Sequence, residues 1–333
     1  MLRRLSGEHL LMIAVVILGA CGHAPSRAAV MSRARFFVIR QDGRYGFMNA
    51  SGRVVIAPRF QEASDFSEGI AAVKSADLWG YIRASGEQAV PFQFEWGGTF
   101  SEGLAAVERD GQFGFVDGEG NIAISPRFAA ASEFHDGRAR VELDGRCGFI
   151  DKKGAFVIGP SYEEAYDFAE GLAAVKLNRR WGYINPDGNW AIRPKFQETY
   201  EFSEGKAWVE TESGIAFINQ KGDFVLSGLP FVDAGNFFEG LASVLEGDLY
   251  GFINDQGGMA IPPRYRFVFP FAEGLAPVNT NGQWGYIDRH GKLVIDFQFD
   301  LAQPFVGGLA QVQIGDRIGY INHEGKYIRQ PTR

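Results

Sequence analysis

The sequence predicts an all-β repeat protein: a tandem array of nine three-stranded β-meanders, each of about 34 residues. Three observations carry this expectation. An aromatic-Gly-aromatic step returns with its glycine (once alanine) at 46, 80, 114, 148, 182, 216, 251, 285 and 319, so every interval is 34 residues except one of 35. A four-residue turn from Asp or Asn to Gly recurs, as in Asp151-Lys152-Lys153-Gly154 and Asn185-Pro186-Asp187-Gly188. A Phe-x-Glu-Gly-Leu-Ala-x-Val segment recurs too, as at Phe100 to Val107, Phe168 to Val175 and Phe271 to Val278.

Each element follows from its residues. Leu-Ala-Ala-Val is a short apolar run with strand character. Arg109-Asp110-Gly111-Gln112, or Asn279 to Gly282, is hairpin chemistry, because Gly and Asn tolerate the positive φ of tight hairpins. Trp-Gly-Tyr-Ile-Asn makes the second strand, where the bare glycine allows close approach by another backbone or ring. The Asx-x-x-Gly step makes the second turn, and Val54 to Phe60 is the third strand. Its internal Pro58 points to an edge or a strand end. Three short strands cannot bury enough apolar area alone, so the units must stack. The landmark Phe, Trp and Tyr residues are therefore core candidates.

Residues 1–20 read as a signal peptide, 21–34 as a tether, and 35–330 as the repeat array. Arg3 and Arg4 precede an unbroken apolar run, Leu10 to Leu18, which is too short to span a bilayer and fits an h-region. The run ends in Leu18-Gly19-Ala20-Cys21, which resembles the bacterial lipobox. That resemblance implies that Cys21 is acylated and becomes the first mature residue. Gly22, rather than Asp, leans toward the outer membrane. An ordinary cleaved signal and an uncleaved anchor are the alternatives.

The repeat unit itself resembles the WG repeat (KWG-like) of bacterial proteins over about residues 35–328. It shares Trp-Gly-Tyr-Ile-Asp/Asn, the x-x-Gly turn, the Pro-x-aromatic strand end and the Phe-x-Glu-Gly lead-in. Trp fills its slot at 79, 181 and 284; the other slots hold Tyr45, Phe113, Cys147, Ile215, Tyr250 and Ile318. Unit six departs most: Ala216 replaces the glycine, and an extra residue falls between Gly222 and Phe231. The resemblance implies binding or scaffolding rather than a specific chemistry.

Two architectures fit such units, an open twisted β-superhelix and a closed β-propeller. Propeller blades usually carry four strands over longer repeats. The array also opens on a first strand and closes on a third, which leaves no split unit to fasten a ring. The open superhelix is therefore the expected form.

The chemistry-bearing residues are mostly explained by the repeat. A net charge of −7, and of −8 once Arg3, Arg4 and Glu8 are removed, argues against nucleic acid as a partner. The four His residues beyond the signal (23, 135, 290 and 323) show no metal-ligand spacing, and no nucleophile elbow or phosphate loop occurs. The recurring Glu at 68, 102, 170, 204, 239 and 273 points to bonding of turn amides. No catalytic residue, metal or cofactor is expected. Trp96, Trp190 and Trp208 break the repeat and are the candidate ligand-binding residues, since exposed Trp usually meets a partner. The expected protein is non-enzymatic: a lipid-anchored module of the bacterial cell envelope that binds or scaffolds protein partners, facing the periplasm or the surface. The alternatives are a glycan-binding module and an enzyme with its site in a groove of the array.

Overall fold

A computed structural model describes residues 36–332. The signal, the tether and Cys21 therefore lie outside the described residues. The described chain folds into nine small antiparallel sheets set in a ring, a nine-bladed β-propeller. This overturns the open superhelix.

Blade 1 has three strands, β1 (Phe36–Gln41), β2 (Arg44–Asn49) and β3 (Val54–Phe60). Blade 2 has four: β4 (Glu62–Ala63), β5 (Ile70–Ser75), β6 (Leu78–Arg83) and β7 (Gln88–Phe94). Blades 3 to 5 span 96–128, 130–162 and 164–196; blades 6 to 9 span 207–226, 233–265, 267–299 and 301–332. Blades 1 and 6 are three-stranded and the other seven four-stranded. The extra strand corrects the three-stranded meander. It comes from the connector, where Glu62 and Ala63 pair with Lys74 and Val73. A two-residue strand has no hydrophobic period to betray it.

Within a blade the chain runs up and down. The Phe-x-Glu-Gly turn and the Asx turn lie at one end, here the Glu-turn end. The hairpin turn and the crossing to the next blade lie at the other, the hairpin end. The first strand of each blade sits nearest its neighbours and thus the ring axis: strand Trp96–Ser101 packs against both β5 and strand Ala130–His135.

Local chemistry sets each turn. At the hairpin, Asp110 and Gly111 take φ of 54° and 71°. At the Asx turn, Asp117 Oδ1 accepts the amides of Glu119 and Asn121 at 3.0 and 2.9 Å. The slot glycine is needed because the outer strand bulges across it. A Cβ on Gly114 would lie 2.4 Å from the carbonyl oxygen of Ile124. The register duly skips between Phe113–Phe128 and Phe115–Ile124. Blade 6 shows the converse. Ala216 carries the Cβ that the bulge forbids, and the outer strand there stops early, as Phe224–Leu226. The extra residue is absorbed just beyond, so the predicted irregularity at unit six is a shortened edge strand.

Side chains bury between blades rather than within them. Nine hydrophobic clusters form, one at each boundary. Each boundary carries at least one aromatic pair, such as Phe115 against Phe134 with ring centroids 4.9 Å apart, or Phe149 against Phe168 at 4.9 Å. Edge-to-face contacts of this kind add about 1 kcal/mol beyond the area they bury. Glycines of the Asx turns also cross the boundary: Gly86 rests on Ile56 and Gly188 on Ile158. Arg59 and Arg127 reach over to the carbonyls of Gly86 and Gly154, at 2.9 and 2.6 Å.

The ninth boundary closes the ring with the same parts. Phe37, Ile39 and Met48 of blade 1 form one cluster with Leu309 and Tyr320 of blade 9. Tyr320 and Phe37 supply the aromatic pair, 5.6 Å apart. No strand is exchanged. In blades 2 to 9 the carbonyl equivalent to Lys74 accepts a backbone amide from the crossing chain, as from Gln61 at 2.9 Å, and the carbonyl of Ala72 accepts from Ser64 at 2.9 Å. In blade 1 the matching carbonyls are Arg40 and Val38. Hydroxyls from blade 9 take both: Thr332 Oγ1 donates to Arg40 at 2.7 Å and Tyr320 Oη to Val38 at 2.6 Å. A missing split strand therefore does not prevent closure.

Candidate functional site

The recurring carboxylates form a relay around the Glu-turn end. Each Glu, itself in a left-handed conformation, accepts amides from the same turn of the next blade. Glu68 accepts from Glu102 and Gly103 at 2.8 and 2.9 Å, Glu204 from Glu239 and Gly240 at 2.9 and 2.8 Å, and Glu239 from Gly274 at 3.0 Å. Burial would raise the Glu102 carboxyl. The Lys152 ammonium, 3.0 Å away, and the Gly137 amide outweigh burial and hold it below its ordinary value. These carboxylates hold blades together. The relay lapses where Asp136 and Gly307 replace Glu.

The three candidate tryptophans lie in three different blades. Trp96 is 40% exposed and leans on Phe113, with ring centroids 5.7 Å apart. Gly98 makes room for it, since a Cβ there would meet the indole at 2.8 Å. Trp190 is half-buried on the outer strand of blade 5 and meets Tyr162 edge-on across the boundary, at 6.0 Å. Trp208 is buried in the core between blades 6 and 7. One of them joins a larger array.

That array is an aromatic ladder across blades 5 and 6. Trp181 stacks on Tyr166 at 5.1 Å and Tyr166 on Tyr200 at 5.3 Å; Tyr200 then leans on Trp208 at 5.5 Å. Lys176 caps the far end, over Trp181 at 5.4 Å, and is paired with Glu164 at 2.7 Å. The Trp181 indole N–H donates to Glu198 at 3.0 Å. Tyr200 is 46% exposed at the open side. Burial chiefly, with Tyr200 and the carboxylates Glu198, Glu164 and Glu201, pushes the Tyr166 phenol up to about 12. The ladder's tyrosines escaped the sequence reading, although a signal existed: Tyr166 and Tyr200 stand where other units carry Ser64, Gly98, Ser132, Gly235 and Gln303, while Phe269 fills the slot in blade 8 and stacks on Trp284 at 5.1 Å.

Other reactive groups are committed to packing. Burial raises the Cys147 thiol, and this outweighs the neighbouring Arg140. Arg140 pairs with the buried Asp167 at 3.3 Å. His323 stacks on Phe305 at 4.2 Å and meets Glu273 at 3.4 Å. Among the described residues, no three His, Cys, Asp or Glu side chains gather as a metal ion would require. His23 lies outside the described residues.

Comparisons place this architecture. A eukaryotic initiation factor structure shares 14% identity over 90% of this chain and 98% of its own, with a TM-score of 0.63. BamB from Moraxella catarrhalis shares 11% identity over 79% of this chain and 91% of its own, with a TM-score of 0.46. The dihydro-heme d1 dehydrogenase NirN shares 12% over 87% and 83%, with a TM-score of 0.47. At such identities the first shows a shared fold and nothing more. No curated protein matches the chain in sequence. The family described as "WG containing repeat" matches eight times, over residues 45–78, 79–112, 113–147, 148–180, 181–213, 216–250, 250–284 and 284–317. The chain therefore belongs to the WG-repeat family.

Proposed function

We propose that the chain is a non-enzymatic binding and scaffolding module of a bacterial cell envelope, held to a membrane through Cys21 and engaging a protein partner. The ladder Trp181-Tyr166-Tyr200-Trp208 carries this reading. It joins two blades through four rings, and its exposed ring is held between two others. Tyr200 is flanked on both sides by aromatic rings, so little freedom is left to lose on binding. The recurring turn carboxylates already serve the blade boundaries.

The lipobox-like Leu18-Gly19-Ala20-Cys21 and the apolar run before it support the anchor.

The test is capture from envelope extract with the chain lacking its signal and carrying Cys21→Ser. A discrete protein should be retained, and Tyr200→Ser should reduce its recovery. Retention of no protein, or equal retention by both chains, would sink the reading. In cells, a fatty-acid analogue should label the wild type and not Cys21→Ser; labelling of both would remove Cys21 as the attachment site.

A further inference from the structure

We infer that the outer rim between blades 5 and 6 docks an acidic segment of a protein partner, with a carboxylate set against Lys195 and an apolar side chain laid over Phe224. This inference rests on the protein-binding reading proposed above and adds a second surface to it.

Three observations meet at this rim. The first is an uncommitted cation. In blades 1, 3 and 7 an arginine near the end of the outer strand stands over the ring that follows it: Arg59 over Phe60 at 5.0 Å, Arg127 over Phe128 at 4.9 Å and Arg264 over Tyr265 at 5.1 Å. Each also donates to the carbonyl of the next blade's turn glycine, Gly86, Gly154 or Gly291. Lys195 takes the same place over Phe196, at 5.0 Å. Its ammonium lacks the reach of the guanidinium fork. Among the described residues it forms no hydrogen bond or ion pair, and neither does Arg193, exposed on the same strand. The two are unpaired cations in a chain whose net charge is −7.

The second observation is an exposed ring beneath that cation. Phe224 opens the outer strand of blade 6 and is 53% exposed. In blades 4 and 5 the ring in this place meets a ring of the preceding blade edge-on: Phe156 meets Phe128 at 6.1 Å and Trp190 meets Tyr162 at 6.0 Å. Among the described residues no ring meets Phe224. Lys195 lies over it instead, at 6.0 Å. That contact sets the unpaired charge and the bare apolar surface side by side.

The third is the strand itself. The outer strand of blade 6 ends at Leu226 and pairs only through Phe217–Leu226 and Ile218–Phe224. In blade 5 the outer strand runs on, to pair Phe196 with Trp181. The repeat is thus broken just where its ring is least covered. Packing does not require a ring there, since Gln88 fills the place in blade 2.

Charge selects the occupant. A carboxylate pairs with the cations that this chain leaves open, and the ring beside them takes an apolar neighbour. Asp223, the carboxylate nearest Phe224 in sequence, bonds Asn219 within its own turn at 3.2 Å, and Lys221 shares that turn. Nucleic acid and an anionic membrane would both be repelled by the net charge of −7.

The experiment titrates the chain lacking its signal and carrying Cys21→Ser with a labelled, capped peptide of alternating glutamate and valine, read by fluorescence anisotropy. A lysine–valine peptide and a glutamate–serine peptide are the comparisons, and co-sedimentation with phosphatidylglycerol vesicles tests a membrane in their place. The glutamate–valine peptide should bind saturably and tightest, weakening as salt rises. A carbodiimide, which joins a carboxylate to an amine, should couple it chiefly to Lys195. Arg193→Gln with Lys195→Gln should weaken binding about 5-fold, in keeping with two exposed ion pairs of about 0.5 kcal/mol each. Phe224→Ser should weaken it about 3-fold, in keeping with a partial apolar contact. Arg193→Glu with Lys195→Glu should turn the preference toward the lysine–valine peptide. These positions face solvent, so the variants should melt with the wild type. Equal binding of either comparison peptide would overturn the inference. So would Lys195-dependent vesicle binding, coupling spread over other lysines, indifference to the substitutions, or no saturable binding. If the peptide fails while a Tyr200-dependent protein is still captured from envelope extract, the rim site falls and the binding module stands.

Discussion

The boundary between blades 2 and 3 and the boundary between blades 9 and 1 do the same work with different connectivity. Both pair a Tyr of one blade with a Phe of the next: Tyr81 with Phe100 at 5.0 Å, and Tyr320 with Phe37 at 5.6 Å. Both end in a tyrosyl hydroxyl on a carbonyl across the boundary, Gly98 at 3.0 Å and Val38 at 2.6 Å. At the internal boundary the polypeptide crosses, its amides pair, and a Glu relay adds charge-assisted bonds. At the closing boundary no chain crosses, Gly307 has no carboxylate, and hydroxyls stand in for the absent amides. The unit of stability is thus the boundary core, not the sheet. The eight matched repeats run slot to slot, so each carries one whole boundary; the ninth is shared between residues 318–332 and 36–44.

The comparison is tested hardest by Tyr320→Ala. Removing a buried aromatic of this size costs about 3–5 kcal/mol, and Tyr81→Ala should cost a similar amount in chemical denaturation. Their shapes should differ. Blades 2 and 3 stay joined by the chain, whereas blades 9 and 1 do not, so only Tyr320→Ala should enlarge the ring in small-angle scattering. Equal scattering from both variants would mean that other closing contacts suffice, and that the two boundaries are mechanically alike.

A smaller change separates the hydroxyl from the ring. Tyr320→Phe keeps the aromatic pair and removes the donor to Val38. A buried hydrogen bond contributes about 1 kcal/mol, so the unfolding free energy from denaturant titration should fall by that amount without any opening of the ring. Tyr81→Phe should cost the same. A much larger loss for Tyr320→Phe would show that the hydroxyl substitutes for the missing strand, not merely for one bond.

The sequence already carried the period, both turns and the aromatic core. Each is a local rule repeated: the Asx side chain bonds its own turn, and Gly114 must be bare because the outer strand passes over it. The role of the recurring Glu was legible for the same reason. Closure was not. It depends on whether Phe37 and Tyr320, nearly three hundred positions apart, meet in space, and a per-unit twist sets that, not any one residue. The two-residue lead strand was invisible because Glu62-Ala63 has no periodicity. The three tryptophans drew the eye by their size. The ladder instead rests on Tyr166 and Tyr200, ordinary aromatics in a sequence rich in them, whose signal was a ring in a slot that most units, Phe269 apart, fill with Ser, Gly or Gln.

The smallest effect is a pH dependence confined to the boundary between blades 3 and 4. Glu102 is held below its ordinary carboxyl value of 4.5 by Lys152 and the Gly137 amide. A depressed folded value means that the unfolded chain takes up the proton first. The contribution is therefore complete above the unfolded value, and it is lost as pH falls through the folded one. Between about pH 5 and pH 3, unfolding midpoints of the wild type should drop faster than those of Glu102→Gln, which cannot titrate there. The difference should be modest, since Glu102 is partly exposed and solvent screens its pairing. The closing boundary has no such carboxylate at Gly307. Acid should thus weaken the boundary between blades 3 and 4 while leaving the Tyr320–Phe37 contact in place, and scattering at pH 4 should still report a closed ring. A ring that opened in acid before the boundary at Glu102 weakened would show that charge, not aromatic packing, fastens blade 9 to blade 1.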